Sequence, residues 1–178
     1  MKERSFTIEV EIDAPTHSVH AFLLDLDHLA PLHPLIESIE LLESRVERPA
    51  AKRYRVVDQI PVGPFKMQAI YVAELEAISD TEVCGRAWQS PKVILETRYR
   101  LSPLGARRSA EAGTSGSDDG VLGSPGGTHL EERVRIQAPF GLRSFVAAQA
   151  FRAHETTLSK MKRLLEERAP AAAGRGAL

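Results

Sequence analysis

The stretch Leu142–Arg168, LRSFVAAQAFRAHETTLSKMKRLLEER, decides the fold. Leu142, Val146, Ala150, Ala153, Thr157, Met161 and Leu164 recur at helical spacing along one face, and Arg152, Glu155, Lys162 and Glu166 occupy the other. Pro139 and Gly141 mark its beginning. Pro170 and the Ala/Gly tail mark its end, so residues 169–178 are expected to be disordered. The apolar face is uneven: Ala150, Ala153 and Thr157 form a small-residue waist between the larger Phe145, Val146, Met161 and Leu164.

Such a helix needs a surface to cover, and the preceding chain supplies strands. Residues 5–12 alternate strictly, with Phe6, Ile8, Val10 and Ile12 on one side. Asp13-Ala14-Pro15-Thr16 then starts a short helix carrying Val19, Phe22, Leu23 and Leu26, and Pro31 and Pro34 confine residues 27–34 to a broken helical turn. Strands are expected over 35–44, 51–60, 65–75, 81–88, 92–101 and 128–137, with Pro61-Val62-Gly63-Pro64 as a tight reversal. Between the last two, residues 105–127 hold seven Gly and four Ser, a composition that cannot repay the entropy of ordering. That segment reads as a flexible loop at a hairpin tip rather than a lid.

The reading is therefore α+β: seven strands in one curved antiparallel sheet around a long C-terminal helix, with two short helices after strand one. A chain of 178 residues with 43% hydrophobic content suits one domain, over residues 1–168. Its net charge of -1 gives no long-range attraction for nucleic acid. Cys84 stands alone, which excludes an intramolecular disulfide and fits a reducing compartment. The absence of a signal-like N-terminus or a long apolar run points to a cytoplasmic protein with no membrane span, either monomer or homodimer.

The segment 5–40, SFTIEVEIDAPTHSVHAFLLDLDHLAPLHPLIESIE, resembles the opening of the START-like superfamily, in particular its polyketide cyclase/dehydrase branch (SRPBCC proteins). The segment 130–167, LEERVRIQAPFGLRSFVAAQAFRAHETTLSKMKRLLEE, is similar to that family's last strand and long helix. Leu32 stands where many relatives carry a Trp before the His-Pro pair. The resemblance implies a helix-grip fold whose interior binds lipids, sterols, polyketides or other hydrophobic molecules, in members that are mostly binders and in a minority enzymes.

From periodicity alone, the small-residue waist either leaves a pocket for a small molecule or lets the helix pack closely on the sheet. The interior of such a pocket is expected to offer Phe22, His33, Tyr54, Phe65, Met67, Tyr71, Trp88, Leu95, Tyr99, Ala150, Ala153 and Thr157 to a ligand, unless the aromatic residues are simply core. Asp58 and Glu132 fall at inward positions of apolar strands, where a carboxylate can act as general acid or base, with His33 as a helper. The plainer expectation is that each pairs with an arginine such as Arg86 or Arg152. His154, at the flank of the helix stripe, is a further group within reach of a ligand. His17 and His20 are read as solvent-facing, and neither a metal site nor a cofactor is implied. The leading function is a carrier or sensor of a hydrophobic ligand; a cyclase/dehydratase-type enzyme and a protein interaction module are the alternatives.

Overall fold

The computed structural model describes residues 3–90, 92–104 and 126–173. Seven strands, β1 (Glu3–Ile12), β2 (Ile36–Leu42), β3 (Lys52–Val62), β4 (Phe65–Ser79), β5 (Glu82–Gln89), β6 (Val93–Pro103) and β7 (Thr128–Gln137), form one sheet. All neighbours are antiparallel, in the order β1-β7-β6-β5-β4-β3-β2. Helices α1 (Thr16–Leu23) and α2 (Leu26–Leu29) fill the crossover from β1 to β2, and α3 (Arg143–Ala173) closes the chain. This is the α+β helix-grip architecture that the alternation and the final amphipathic stretch lead one to expect. The helix extends five residues past the expected end at Arg168. The Gly/Ser-rich loop lies outside the described residues as far as position 125, as does the tail from 174.

Local chemistry sets the joints. The Asp25 side chain caps α2 by accepting a hydrogen bond from the Asp27 N–H at 3.0 Å. The β3–β4 hairpin turns on Gly63, whose φ of +59° suits a residue without a Cβ. At Gly127 a Cβ would stand 2.5 Å from Leu104 Cδ1 and 3.0 Å from the Ile12 carbonyl oxygen, so a side chain there would require Leu104 to shift. Register shifts between Ile36 and Ser38 and between Ala77 and Ser79 interrupt the ladders.

The main core lies between α1, the C-terminal half of α3 and the β1, β5, β6 and β7 strands. It is built on Ile12, Val19, Leu23, Leu130, Leu158 and Met161. The same half of α3 is fastened to the end of β1: Lys162 Nζ donates to the Glu11 carbonyl at 2.5 Å, and Glu166 Oε1 accepts from the Asp13 N–H at 2.9 Å. A second cluster joins the N-terminal half of α3 (Val146, Ala147, Ala150) to Val93, Val134 and Ile136.

The convex face of the sheet is charged. Arg45, Arg48 and Arg53 surround Glu74, Arg48 also meets Glu76, and Arg86 pairs with Glu96 at 3.0 Å. No helix among the described residues is long and apolar enough to cross a membrane.

Candidate functional site

Between the concave face and the waist of α3 lies a cavity of about 190 Å³, far larger than the roughly 10–15 Å³ one water needs on the same measure. The waist does leave volume unfilled. Ala150 and Ala153 on α3 and Gly85 and Ala87 on β5 all line it, so small residues contribute to both the helix wall and the sheet wall. Leu26, Leu29, Leu35 and Ile36 close the α2–β2 side, while Phe145 and Val146 close the side toward the start of α3.

Polar groups concentrate in two places. Asp58 on β3 is 7% exposed and accepts from the Tyr71 hydroxyl, which stands 3.3 Å from each carboxylate oxygen. Burial pushes the Asp58 carboxyl up to about 6, against the opposing pull of the Tyr71 hydrogen bond and the nearby His154 ring. Across the cavity, Glu132 on β7 is fully buried, and its Oε1 lies 2.6 Å from His154 Nδ1 on α3. Burial alone would make that imidazole harder to protonate. The adjacent Glu132 carboxylate, with a smaller contribution from Asp58, outweighs burial and raises its pKa.

Two further groups complete the polar lining. The Tyr99 phenol is held protonated by its burial and by the charge and hydrogen bonding of Glu132, its cross-strand neighbour. His33, from the turn after α2, sets its ring 6.2 Å from that of His154. Burial and the neighbouring His154 hold His33 neutral, with a pKa lowered to about 3. Among the described residues no group of three or more His, Cys, Asp or Glu is arranged to hold a metal ion.

The cavity brings together His33, Asp58, Tyr71, Leu95, Tyr99, Glu132, Ala150, Ala153 and Thr157 of the sequence-based set. The rest sit elsewhere. Phe65 and Met67 follow the alternation of Tyr71, but the hairpin carries them beyond the helix, and they are 75% and 47% exposed. Trp88 is turned to the convex face, because Ala87 takes the inward position; there Arg45 lies 5.5 Å from its ring centroid. Phe22 is spent in the core against His28, and Tyr54 is buried beneath α2 with its hydroxyl directed to Asp25 at 3.4 Å. Among the described residues neither carboxylate takes an arginine partner, and the Arg86 guanidinium serves Glu96. His20 is not simply solvated either, because its Nε2 lies 2.8 Å from the Ser79 carbonyl.

Nothing in the sequence pairs Glu132 with His154. The signal was available only in part: an acidic residue inside an apolar alternation and a His beside an apolar helix stripe each ask for a partner, but not for each other.

The family model described as Domain of unknown function (DUF7053) matches residues 1–167. The chain belongs to this family. No curated protein matches this DUF7053 chain. Solved structures do. The di-domain ARO/CYC StfQ from the steffimycin biosynthetic pathway superposes with a TM-score of 0.67 at 11% identity, covering 94% of this chain and 52% of that one. The Zhui aromatase/cyclase from Streptomyces sp. R1128 gives 0.62 at 14%, covering 99% and 100%. A START superfamily protein from Mycobacterium smegmatis gives 0.62 at 14%, covering 90% and 98%. At such identities the likeness is one of fold, and the DUF7053 domain has a START/SRPBCC-like fold.

Proposed function

We propose that the protein binds an apolar small molecule, such as a lipid, sterol or polyketide, in the cavity beneath α3, as carrier or sensor. The observation that carries this reading is the cavity of about 190 Å³ between the sheet and α3, lined by small residues of both, Ala150 and Ala153 on the helix and Gly85 and Ala87 on the sheet. It is lined mainly by Leu, Ile, Val and Phe side chains, with a few polar groups at fixed points. The fold it shares with a START superfamily protein and with aromatase/cyclases supports the same reading.

Native mass spectrometry of freshly purified protein is expected to retain an organic ligand. The neutral dye N-phenyl-1-naphthylamine is expected to brighten on binding and to be excluded by Ala150→Phe, which fills the waist. A protein that carries no ligand and takes up no dye would count against the proposal.

A second reading is favoured by one observation: two buried carboxylates, Asp58 and Glu132, face one cavity together with His33 and His154. That is the equipment of general acid–base chemistry, as a cyclase or dehydratase would need. Turnover of a poly-β-keto substrate that vanishes in Asp58→Asn, while dye binding persists, would identify an enzyme.

A further inference from the structure

Three stretches of chain come together at one end of the sheet. The β4–β5 ladder stops at the pair Tyr71 and Gln89, so residues 65–70 of β4 pair only with residues 57–62 of β3 and project past β5 as a two-stranded ribbon. The β5–β6 turn and the link from β7 to α3 lie at the same end, because Val93 pairs with Gln89 and Ile94 with Gln137. The cavity reaches this end too, where Ile60, Gln89, Val93 and Phe145 line it.

The ribbon exposes Val62, Phe65 and Met67, and the link exposes Phe140 and Leu142, at 87% and 44%. Residues 59–70, 88–95 and 136–149 hold Lys66, Lys92 and Arg143 and not one Asp or Glu. Lys66 stands between Phe65 and Met67, and the Arg143 guanidinium lies 5.9 Å from the centroid of the Phe140 ring. The carboxylates at the neighbouring strand starts, Glu3 and Glu37, meet Arg135 at 3.7 Å and Gln59 at 2.8 Å. Exposed aromatic rings set beside cations, with no anion among them, suit a lipid headgroup region, where the rings enter the acyl boundary and the cations stay at the phosphates.

We propose that this end of the molecule docks on an anionic lipid bilayer, with Phe65 and Phe140 as the inserted residues and Lys66, Lys92 and Arg143 as the phosphate contacts. The net charge of -1 supplies no long-range attraction, so these cations act within the roughly 8–10 Å that salt leaves unscreened. Docking is therefore weak and salt-sensitive. A second copy of the chain fits this surface less well, because a two-fold contact would set the same three cations against one another. Docking brings the cavity end to the bilayer, where a membrane-dissolved ligand can be exchanged; only that last step rests on the reading of the cavity as a small-molecule site.

Co-sedimentation of the full chain with vesicles tests the proposal, using phosphatidylcholine alone and equal parts of phosphatidylcholine and phosphatidylserine. Binding to the mixed vesicles is expected to be about tenfold or more tighter and to be lost in high salt. Phe65→Ser with Phe140→Ser is expected to weaken it at least about tenfold, and Lys66→Glu with Lys92→Glu by a similar factor. All four positions are exposed, so the circular dichroism of both double variants and their uptake of N-phenyl-1-naphthylamine without vesicles are expected to be unchanged.

No preference for the mixed vesicles, or a preference that survives undiminished in either double variant, overturns the proposal and leaves the cavity's binding role standing. A dimer in solution that Phe65→Ser with Phe140→Ser dissolves, with no vesicle binding, assigns the surface to a second copy and also overturns it. Failure of the unaltered protein to take up the dye counts against the cavity reading alone, since the vesicles decide the docking.

Discussion

Asp58 and Glu132 are two carboxyl groups buried at opposite walls of one cavity, and they differ in what meets them. A phenol, which cannot carry a compensating charge, meets Asp58, and burial prevails, so its pKa rises to about 6. An imidazole meets Glu132, and there the ionic pairing prevails, so the pKa of His154 goes up in spite of the same burial. The comparison teaches that burial does not by itself set the charge of a group in this cavity; the ability of its first neighbour to become charged does.

The sharpest way to break the contrast is His154→Leu, which strands Glu132 with no cationic neighbour. Urea denaturation at pH 7 is expected to show a loss of about 3–5 kcal/mol, as for the removal of one partner from a buried pair. A loss below about 1 kcal/mol would mean that the pair is not ionic.

Next comes Asp58→Asn, with the opposite sign. Folding raises the pKa of Asp58 from 3.8 to about 6, so its favourable contribution is complete below 3.8 and is lost as pH rises through 6. Above that point the ionised group costs about 3 kcal/mol, taking roughly 1.4 kcal/mol per pKa unit. Asp58→Asn is therefore expected to stabilise the protein at pH 7–8 by about 1–3 kcal/mol and to remove the decline between pH 4 and pH 6. His33 has the reverse slope. With its pKa lowered from 6.5 to about 3, its contribution is complete above 6.5 and is lost as pH falls toward 3. That acid limb should remain in Asp58→Asn and disappear in His33→Gln, by thermal unfolding across pH 3–8.

Tyr71→Phe tests the weaker partner. Removing its hydroxyl is expected to cost about 1 kcal/mol and to move the Asp58 carboxyl still higher, which a carbon-detected NMR titration would read. The smallest effect belongs to Trp88→Phe on the convex face, with a change of less than about 0.5 kcal/mol and no change in ligand affinity. Because Trp88 is the one tryptophan of the chain, ligand binding in the cavity is expected to leave the protein's tryptophan emission unchanged.

The fold was largely legible because period two and period 3.6 are imposed by the backbone itself, and β1 and the α3 stripe display them plainly. The small-residue waist at Ala150 and Ala153 was legible, but whether it leaves volume or lets the helix pack closely depends on the sheet residues opposite, which periodicity does not give. The inward set of β5 was not. Val83, Gly85 and Ala87 are its small members and Trp88 its largest apolar one, so hydrophobicity ranked the wrong face. Phe65 and Met67 misled for another reason: alternation gives the side of a strand but not how far the covering helix reaches along it. The Glu132–His154 bond joins a strand to a helix 22 residues later, and such pairings depend on tertiary geometry that no local spacing encodes.

The two halves of α3 are unevenly fastened. Its far half is tied to the β1 terminus through Lys162 and Glu166 and sunk in the main core at Leu158 and Met161. Its near half, over the cavity, is held by the smaller cluster around Val146 and Ala150. A bulkier occupant of the cavity is therefore expected to displace α3 more at Phe145 and Val146 than at the β1 attachment, which hydrogen exchange along the helix would read.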